Sequence, residues 1–512
     1  MIYISIKTKG PNSLALEKLE VLSEDDSLIE YGPQKLPDLS RKPVIFFNAV
    51  FCLTVLEQMG CIITDFEDVR LMAKLAEVEI SERLFTPVGK HYFQYTMEKK
   101  EQVNQGVNVR ELKRLYQELS PVVNSPPYQR EKAVIPAILN LQRSGFAFDM
   151  ESWKKELLPK QQELARLKEE LDYELGTDQR TAQAFTNKGV PLKDLSTREL
   201  KLHLDNRIVK LLYDERELLQ YLHVFMESIE KAMHDGRLYC QWDSFAALSG
   251  RMTARRPNIQ AMPKISRKHF KAEAGSLLIM ADYSQIELRV LAEITKDTNL
   301  SEAFFNGGDI HLQTASRIFG KTEREVSQDQ RAIAKTLNFG IVYGITAHGI
   351  QKNLSKKGIS FTLKEAAHLR QEFLAIYPDV RRFQQKISTA KKVKTLGGRW
   401  IDVRALSVTQ KMNLPVQGTA AEGFKEALIL LHGQLQDHWN IVVAAHDEIV
   451  LEVPVADAEA AKLILQTAMK NGMKRLIRHI PITVEIKSSC SWGTDLTASQ
   501  IVILNKSERE VH

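Results

Sequence analysis

Two apolar runs that end in carboxylates constrain this chain more than any other feature. SLLIMADYSQIELRVLAEI reads as a strand over Leu277 to Ala281 that delivers Asp282 at its end and then enters a helix. NIVVAAHDEIVLEV reads as two apolar strands joined by His446, Asp447 and Glu448, a tight hairpin with acids at its tip. Taken singly, an Asp at a strand end is a cap or turn residue, and acids at a hairpin tip are solvated. Two such strand ends in one chain can converge on a metal ion.

What lies between them gives the pair a purpose. RAIAKTLNFGIVYG places Arg331, Lys335, Phe339 and Tyr343 at steps of four. At about 100° per residue each step drifts by only about 40°, so all four share one broad helical face. Two cations in the first turns of a helix oppose its macrodipole and repel each other. A docked polyphosphate offsets both costs, and the two aromatic rings offer a flat surface to a base. The plainer alternative is an amphipathic helix with a snorkelling basic end. Carboxylates converging on a triphosphate imply Mg²⁺, a hard cation that takes oxygen ligands. The residues by themselves read as metal-assisted nucleotidyl transfer.

At 512 residues the chain is too long for one core and suggests three or four units. A hydrophobic fraction of 44% with 26% charge excludes a disordered chain. The net charge of +6 suits a polyanionic partner without requiring one. Cys52, Cys61, Cys240 and Cys490 show no metal or disulfide spacing, so reduced, mostly buried thiols are expected. No signal peptide is indicated. The most apolar window, VIFFNAVFCLTVL from Val44, is broken by Asn48 and reads as a strand running into a buried helix, too short for a bilayer. A soluble, cytoplasmic protein is expected.

Residues 1 to about 125 alternate short strands and helices, and prolines in SPVVNSPPYQR end that pattern. From Glu131 to about His234 the signal is nearly all helical. It includes a charged arm with an apolar stripe at Leu157, Leu164, Leu167 and Leu171. The last dozen residues read as a polar tail.

DYSQIELR at 282–289 is identical to the commonest form of motif A of the family A DNA polymerases, the DNA polymerase I group. RAIAKTLNFGIVYG resembles their motif B and HDE at 446–448 their motif C. LSGRMTARRPNIQAMP, DIHLQTA, TLGGRW and NLPVQGTAAE extend the resemblance in order from about Glu131 to Trp492. It implies a multidomain α/β and α+β protein, a right-hand polymerase of palm, fingers and thumb preceded by an RNase H-like exonuclease-type α/β domain. The implied boundaries are 1–125 for that domain, 126–245 for the thumb, and 246–302 for the first part of the palm. The fingers would take 303–403, and the second part of the palm with the tail 404–512.

The resemblance further implies that Asp282 and Asp447 hold two Mg²⁺ ions (Mn²⁺ as an alternative), with the Tyr283 carbonyl as an extra ligand and Glu448 as an acidic neighbour. Glu287 would fill the space that a ribose 2′-OH needs. Arg331 and Lys335 would bind the triphosphate, with Lys335 also catalytic. Phe339 would stack on the incoming nucleotide and Tyr343 guard the templating position. Gln285 and His311 join the nucleotide site. Arg251, Asn258, Gln260, Asn413, Gln417 and His446 fall where the family contacts primer and template, through groove acceptors shared by all base pairs. Partners would be primer–template DNA and dNTPs, the protein a monomer, the role replication or repair. Departures are Thr409 and Trp400 in places where Arg is common, and Ala261–Met262 for Asn–Ile. They bear on primer grip and fidelity.

MIYISIKTKG matches the frame of the first strand of the family's 3′–5′ exonuclease domain, turning at Gly10, with Ser5 and Lys7 where the metal-binding Asp and Glu belong. VIFFNAVFCLTVLEQMG resembles the second nuclease motif with Cys52 in place of the next Asp. GVNVRELKRLYQEL fits the third, with no acid near Val107. Such a set cannot hold two divalent cations. A nuclease fold without its chemistry is expected, with no 5′-nuclease domain before it.

Overall fold

The first sheet is built on β1 (Ile2–Thr8). Its β-branched residues Ile2, Ile4 and Ile6 are buried, Ser5 is half-buried and Lys7 exposed. β2 (Leu16–Ser23) pairs antiparallel to it with Ile4 opposite Val21, and β3 (Leu28–Tyr31) extends the sheet on that side. On the other side β4 (Val44–Phe46) and β5 (Phe66–Asp68) run parallel. The order is β3-β2-β1-β4-β5. The apolar window at Val44 forms β4 and then α1 (Ala49–Gln58), whose Ala49, Val50, Leu53, Val55 and Leu56 are buried. Two helices, α2 (Val69–Leu75) and α3 (Val109–Leu119), complete the unit. This computed structural model describes residues 1–8, 15–34, 36–39, 43–76, 109–176, 180–222, 228–342 and 344–493. Gly10, Val107, Tyr343 and the last dozen residues, read as a polar tail, lie outside them.

The helices α4 (Pro126–Ala133) and α5 (Ile135–Ser144) follow, then α6 (Met150–Leu175) and α7 (Arg207–Leu222). The stripe on α6 buries Leu157, Leu167 and Leu171 and half-buries Leu164. Its far end has a small apolar core of its own, where Leu171 and Leu175 meet Phe185, Leu200, Val209 and Leu212.

A short hairpin of β6 (Gln241–Asp243) and β7 (Thr253–Arg255) leads to the central strand β8 (Ser276–Tyr283). The apolar run from Leu277 to Ala281 is buried throughout because β8 is interior in a four-stranded antiparallel sheet. Helices α8 (Ile286–Thr295), α9 (Ile310–Phe319) and α10 (Gln328–Val342) come next. The hairpin of β9 (Lys392–Lys394) and β10 (Trp400–Asp402) precedes the long helix α11 (Val408–His432). β11 (Asn440–Ala445), β12 (Glu448–Pro454), α12 (Ala458–Lys474) and β13 (Val484–Ser489) complete the described chain. The sheet order is β11-β12-β8-β13. α11 and α12 pack so closely that a Cβ on Gly472 would lie 2.3 Å from the Ala427 nitrogen.

One expectation needs correction. Of the cysteines only Cys52 is buried; Cys61 and Cys240 are partly exposed and Cys490 is exposed, because the last lies beyond the end of β13. No helix among the described residues is long and apolar enough to cross a membrane.

Candidate active site

Both acid-bearing segments end at the same edge of the central sheet. Asp282 lies inside the end of β8, one residue further in than the sequence suggests, and pairs in register with Glu448 of β12 and Glu485 of β13. His446 and Asp447 form the turn between β11 and β12, with His446 in the left-handed region at φ 56°. The Tyr283 amide donates to the Asp447 carbonyl at 3.2 Å, so the two segments are tied at the residues that carry the acids. The Tyr283 hydroxyl donates to the Met469 carbonyl of α12 at 2.6 Å, anchoring the strand end from below.

Crowding among these acids is electrostatically unfavourable. Asp282 opens to solvent on one side, yet desolvation by the surrounding protein, then Asp447, Glu448 and Glu485, pushes its carboxyl up to about 7. Desolvation and Glu287 push Asp447 up to about 6. Glu448 is engaged elsewhere: Arg267 donates to it at 3.3 Å and the Trp492 indole at 3.2 Å. Two carboxylates held together at a cost, beside the Tyr283 carbonyl, fit a divalent cation that keeps waters and shares phosphate oxygens. Among the described residues there is no group of three or more His, Cys, Asp or Glu fit to enclose a metal. Two carboxylates and one carbonyl are a donor set that suits Mg²⁺ completed by substrate oxygens and water.

Next to these acids, Arg251, Glu287, His446 and Asp447 line one cleft, floored by Ala420 and Phe424 of α11. Arg251 donates to Glu287 at 2.5 Å. The sequence places Arg251 at the DNA and names no partner for it within the chain. Desolvation, then Arg251 and Arg267, pushes His446 below the ordinary imidazole value. Gln285 sits at the N-terminus of α8 with φ 54°, a conformation that costs a non-glycine residue about 1 kcal/mol or more. Its Oε1 is buried with no hydrogen-bond partner. Arg289 holds this turn by donating to the Ser284 carbonyl at 2.8 Å and, across the sheet end, to Pro481 and Thr483. Nothing in the motif singled out Arg289, although its cationic head among apolar neighbours was a signal.

On α10 the steps of four appear as read for the three described positions. Lys335 and Phe339 are exposed and Arg331 is half-exposed, while Ala334 and Leu337 turn inward and Asn338, at the border of the cationic face, is buried. The repulsion expected between the cations is partly relieved within the chain, because Arg331 donates to Asp309 at 2.6 Å. Asp309 also caps α9. Tyr343 lies outside the described residues. His311 packs its ring 5.3 Å from that of Phe339. The buried amide of Asn338 donates to His311 Nδ1 at 2.9 Å. Desolvation, opposed by Asp309, pushes the imidazole down to about 4, so it is neutral. With Nδ1 accepting, the single proton stays on Nε2. Asn338 is thus a functional neighbour that the sequence reading missed. It stands three after Lys335 and seven after Arg331, at the border of the cationic face, and the steps of four passed over it.

Besides Arg251 and His446, the residues that the sequence places at DNA divide into two groups. Gln260 accepts from the Ala254 amide and donates to the Met252 and Ala444 carbonyls, and Asn258 caps the turn that follows it. Those two stitch the chain to itself. Asn413 and Gln417 are half-buried on α11, and Asn413 Oδ1 is buried without a partner. Such an orphaned acceptor is costly unless another molecule meets it. Trp400 is 46% exposed beneath Lys394, and Thr409 is exposed.

Comparison with known proteins agrees with this geometry. The family described as DNA polymerase family A matches residues 154–494. DNA polymerase I of Aquifex aeolicus is 31% identical over 395 residues, covering 73% of this chain and 68% of that protein. The thermostable DNA polymerase I of Thermus filiformis is 35% identical over 308 residues, 56% of this chain and 36% of that protein. The POL domain of Pol1 from M. smegmatis, solved in complex with DNA primer-template and dNTP, superposes with a TM-score of 0.79 at 19% identity. It covers 96% of this chain and 95% of that domain. The chain belongs to the family A DNA polymerases.

Proposed function

We propose that this chain is a template-directed DNA polymerase that adds dNTPs to a primer 3′ end by two-metal-ion phosphoryl transfer and does not proofread. The observation that carries this reading is the meeting of Asp282 and Asp447 at one sheet edge, tied through the Tyr283 amide. Asp282, Asp447 and the Tyr283 carbonyl are the groups that would hold Mg²⁺. When bound, the metal neutralises charge on the attacking and leaving oxygens of an in-line displacement. Arg331, Lys335 and the Nε2–H of His311 bind and orient the triphosphate, and Phe339 supports the base. Asn413, Gln417 and His446 receive primer and template. The M. smegmatis domain was solved with both kinds of partner, which supports assigning DNA and dNTP here. In the proposed division, 126–245 is thumb, 246–302 and 404–512 are palm, and 303–403 is fingers. The work is DNA replication or repair.

Glu287 would select the sugar. Its side chain, held by Arg251 in the cleft beside Asp447, occupies the space a 2′-OH would need. Glu287→Ala is expected to raise the ratio of rNTP to dNTP incorporation at least about tenfold, the scale at which loss of one steric and polar discriminator acts. Single-nucleotide incorporation with each sugar measures this. An unchanged ratio would place the gate elsewhere.

The N-terminal unit would be a nuclease fold without a nuclease site. The face of β1 that carries Ser5 and Lys7 also carries Tyr3, whose ring packs edge-on against Tyr116 of α3 at 6.0 Å. Lys7 is paired with Glu17 at 3.0 Å. Cys52 is buried, its thiol pushed up by desolvation and Asp68. Asp68, an acid close to it, is consumed by the Asn48, Ala49 and Leu71 amides. The protein should therefore leave a labelled single-stranded 3′ end intact in Mg²⁺ or Mn²⁺, and Ser5→Asp should not create cleavage, since one ligand cannot assemble two ions. Degradation abolished by substitutions in β1 or α1, with polymerisation kept, would contradict this.

A further inference from the structure

The N-terminal unit supplies no group to the proposed reaction, yet its helix α2 reaches the hairpin that presents Arg251. Arg70 of α2 donates to Asp243, the last residue of β6, at 2.6 Å, with both side chains largely buried. One turn on, Lys74 donates to the Phe245 carbonyl. The Phe245 ring is surrounded by cations from three parts of the fold. Lys74 Nζ lies 5.6 Å from its centroid, the Arg399 guanidinium 5.0 Å and Lys425 Nζ 4.9 Å. Arg399 also donates to the Leu248 and Ser249 carbonyls at 2.9 and 2.6 Å. Gly250 follows at φ 82°, where a Cβ would lie 3.2 Å from both Arg399 and Phe245. The loop is thus held by contacts along its length, and it leads to Arg251, which donates to Glu287.

We infer that α2 of the N-terminal unit is a brace for the sugar-selecting pair: Arg70 and Lys74 fix the loop from Asp243 to Arg251, and through Arg251 the position of Glu287. This rests on the reading of Glu287 as the sugar gate. It gives the unit a role independent of cleavage. Arg70 is a positioning residue, and neither it nor Asp243 touches substrate.

Removing Arg70 alone would leave the largely buried Asp243 with only the longer Arg255 pair at 3.6 Å, so the test variant is Arg70→Met with Asp243→Asn, which keeps the acceptor for the Phe245 amide. Full-length protein is assayed for dNTP and rNTP incorporation, with and without Glu287→Ala, and each variant's melting is recorded. The expected result is a folded double variant whose rNTP/dNTP ratio rises about threefold or more, with no further rise when combined with Glu287→Ala, as coupled sites behave. If Glu287→Ala alone leaves the ratio unchanged, the gate reading fails first. If Glu287→Ala acts but the double variant only melts earlier, or its effect adds independently to that of Glu287→Ala, the brace is overturned.

Discussion

Asp282→Asn will lower primer extension at least about a hundredfold and leave the metal-free fold as stable as before, or more so. At about 1.36 kcal/mol per decade, two decades correspond to about 2.7 kcal/mol of lost charge stabilisation in the transition state, within reach of one metal ligand. The stability half of the expectation follows from the sign of the shift. Asp282 has a folded value near 7, above the ordinary carboxylate value, so its contribution is fully present below about pH 4. It is lost as pH rises through 7. Removing the charge removes that penalty at neutral pH. By the same logic, Mg²⁺ should raise the melting temperature of the wild type at pH 7.5 and raise that of Asp282→Asn much less. Scanning calorimetry with and without Mg²⁺ checks this. A variant that extends primers at wild-type rate, or that gains the same stability from Mg²⁺, would remove Asp282 from the site.

Lys425→Met will cost about 3–5 kcal/mol of folding stability, because it strands a buried acid. Lys425 is 1% exposed and meets both oxygens of Glu131 at 2.6 and 2.5 Å, joining α11 to α4. Arg130 and Glu426 lie beside them at 2.8 Å, and Arg399 and Glu422 complete a buried set of alternating charges. Combining Lys425→Met with Glu131→Leu should recover most of the loss, since an apolar pair of similar volume has no charge to desolvate. Urea denaturation of the single and double variants measures it. Equal losses in both would show that packing, not the unpaired charge, sets the cost.

What was legible in the sequence was the backbone and the faces of its elements. β8 and the β11–β12 hairpin read correctly because continuous apolar runs leave few alternatives, and α10 because its chemistry repeats every four residues. The partners of the charges were not legible. Arg331 meets Asp309 and Arg251 meets Glu287 only because tertiary packing brings separate elements side by side, and no spacing rule records that. Gln260 falls where the family contacts DNA, and its bonds to the Ala254 amide and the Met252 and Ala444 carbonyls are likewise recorded by no spacing rule. Asn338 escaped notice for the same reason: its value lies in fixing the His311 proton, a relation between two helices.

The most direct test of the central claim is single-nucleotide extension. The purified protein is given a labelled primer–template, Mg²⁺ and one dNTP at a time, with each of the four templating bases. The account predicts addition of one nucleotide only where the dNTP is complementary to the template, abolished by chelating the metal and reduced at least about a hundredfold in Asp282→Asn and Asp447→Asn. No addition by the wild type, addition that ignores the template, or addition by either variant at the wild-type rate would contradict it.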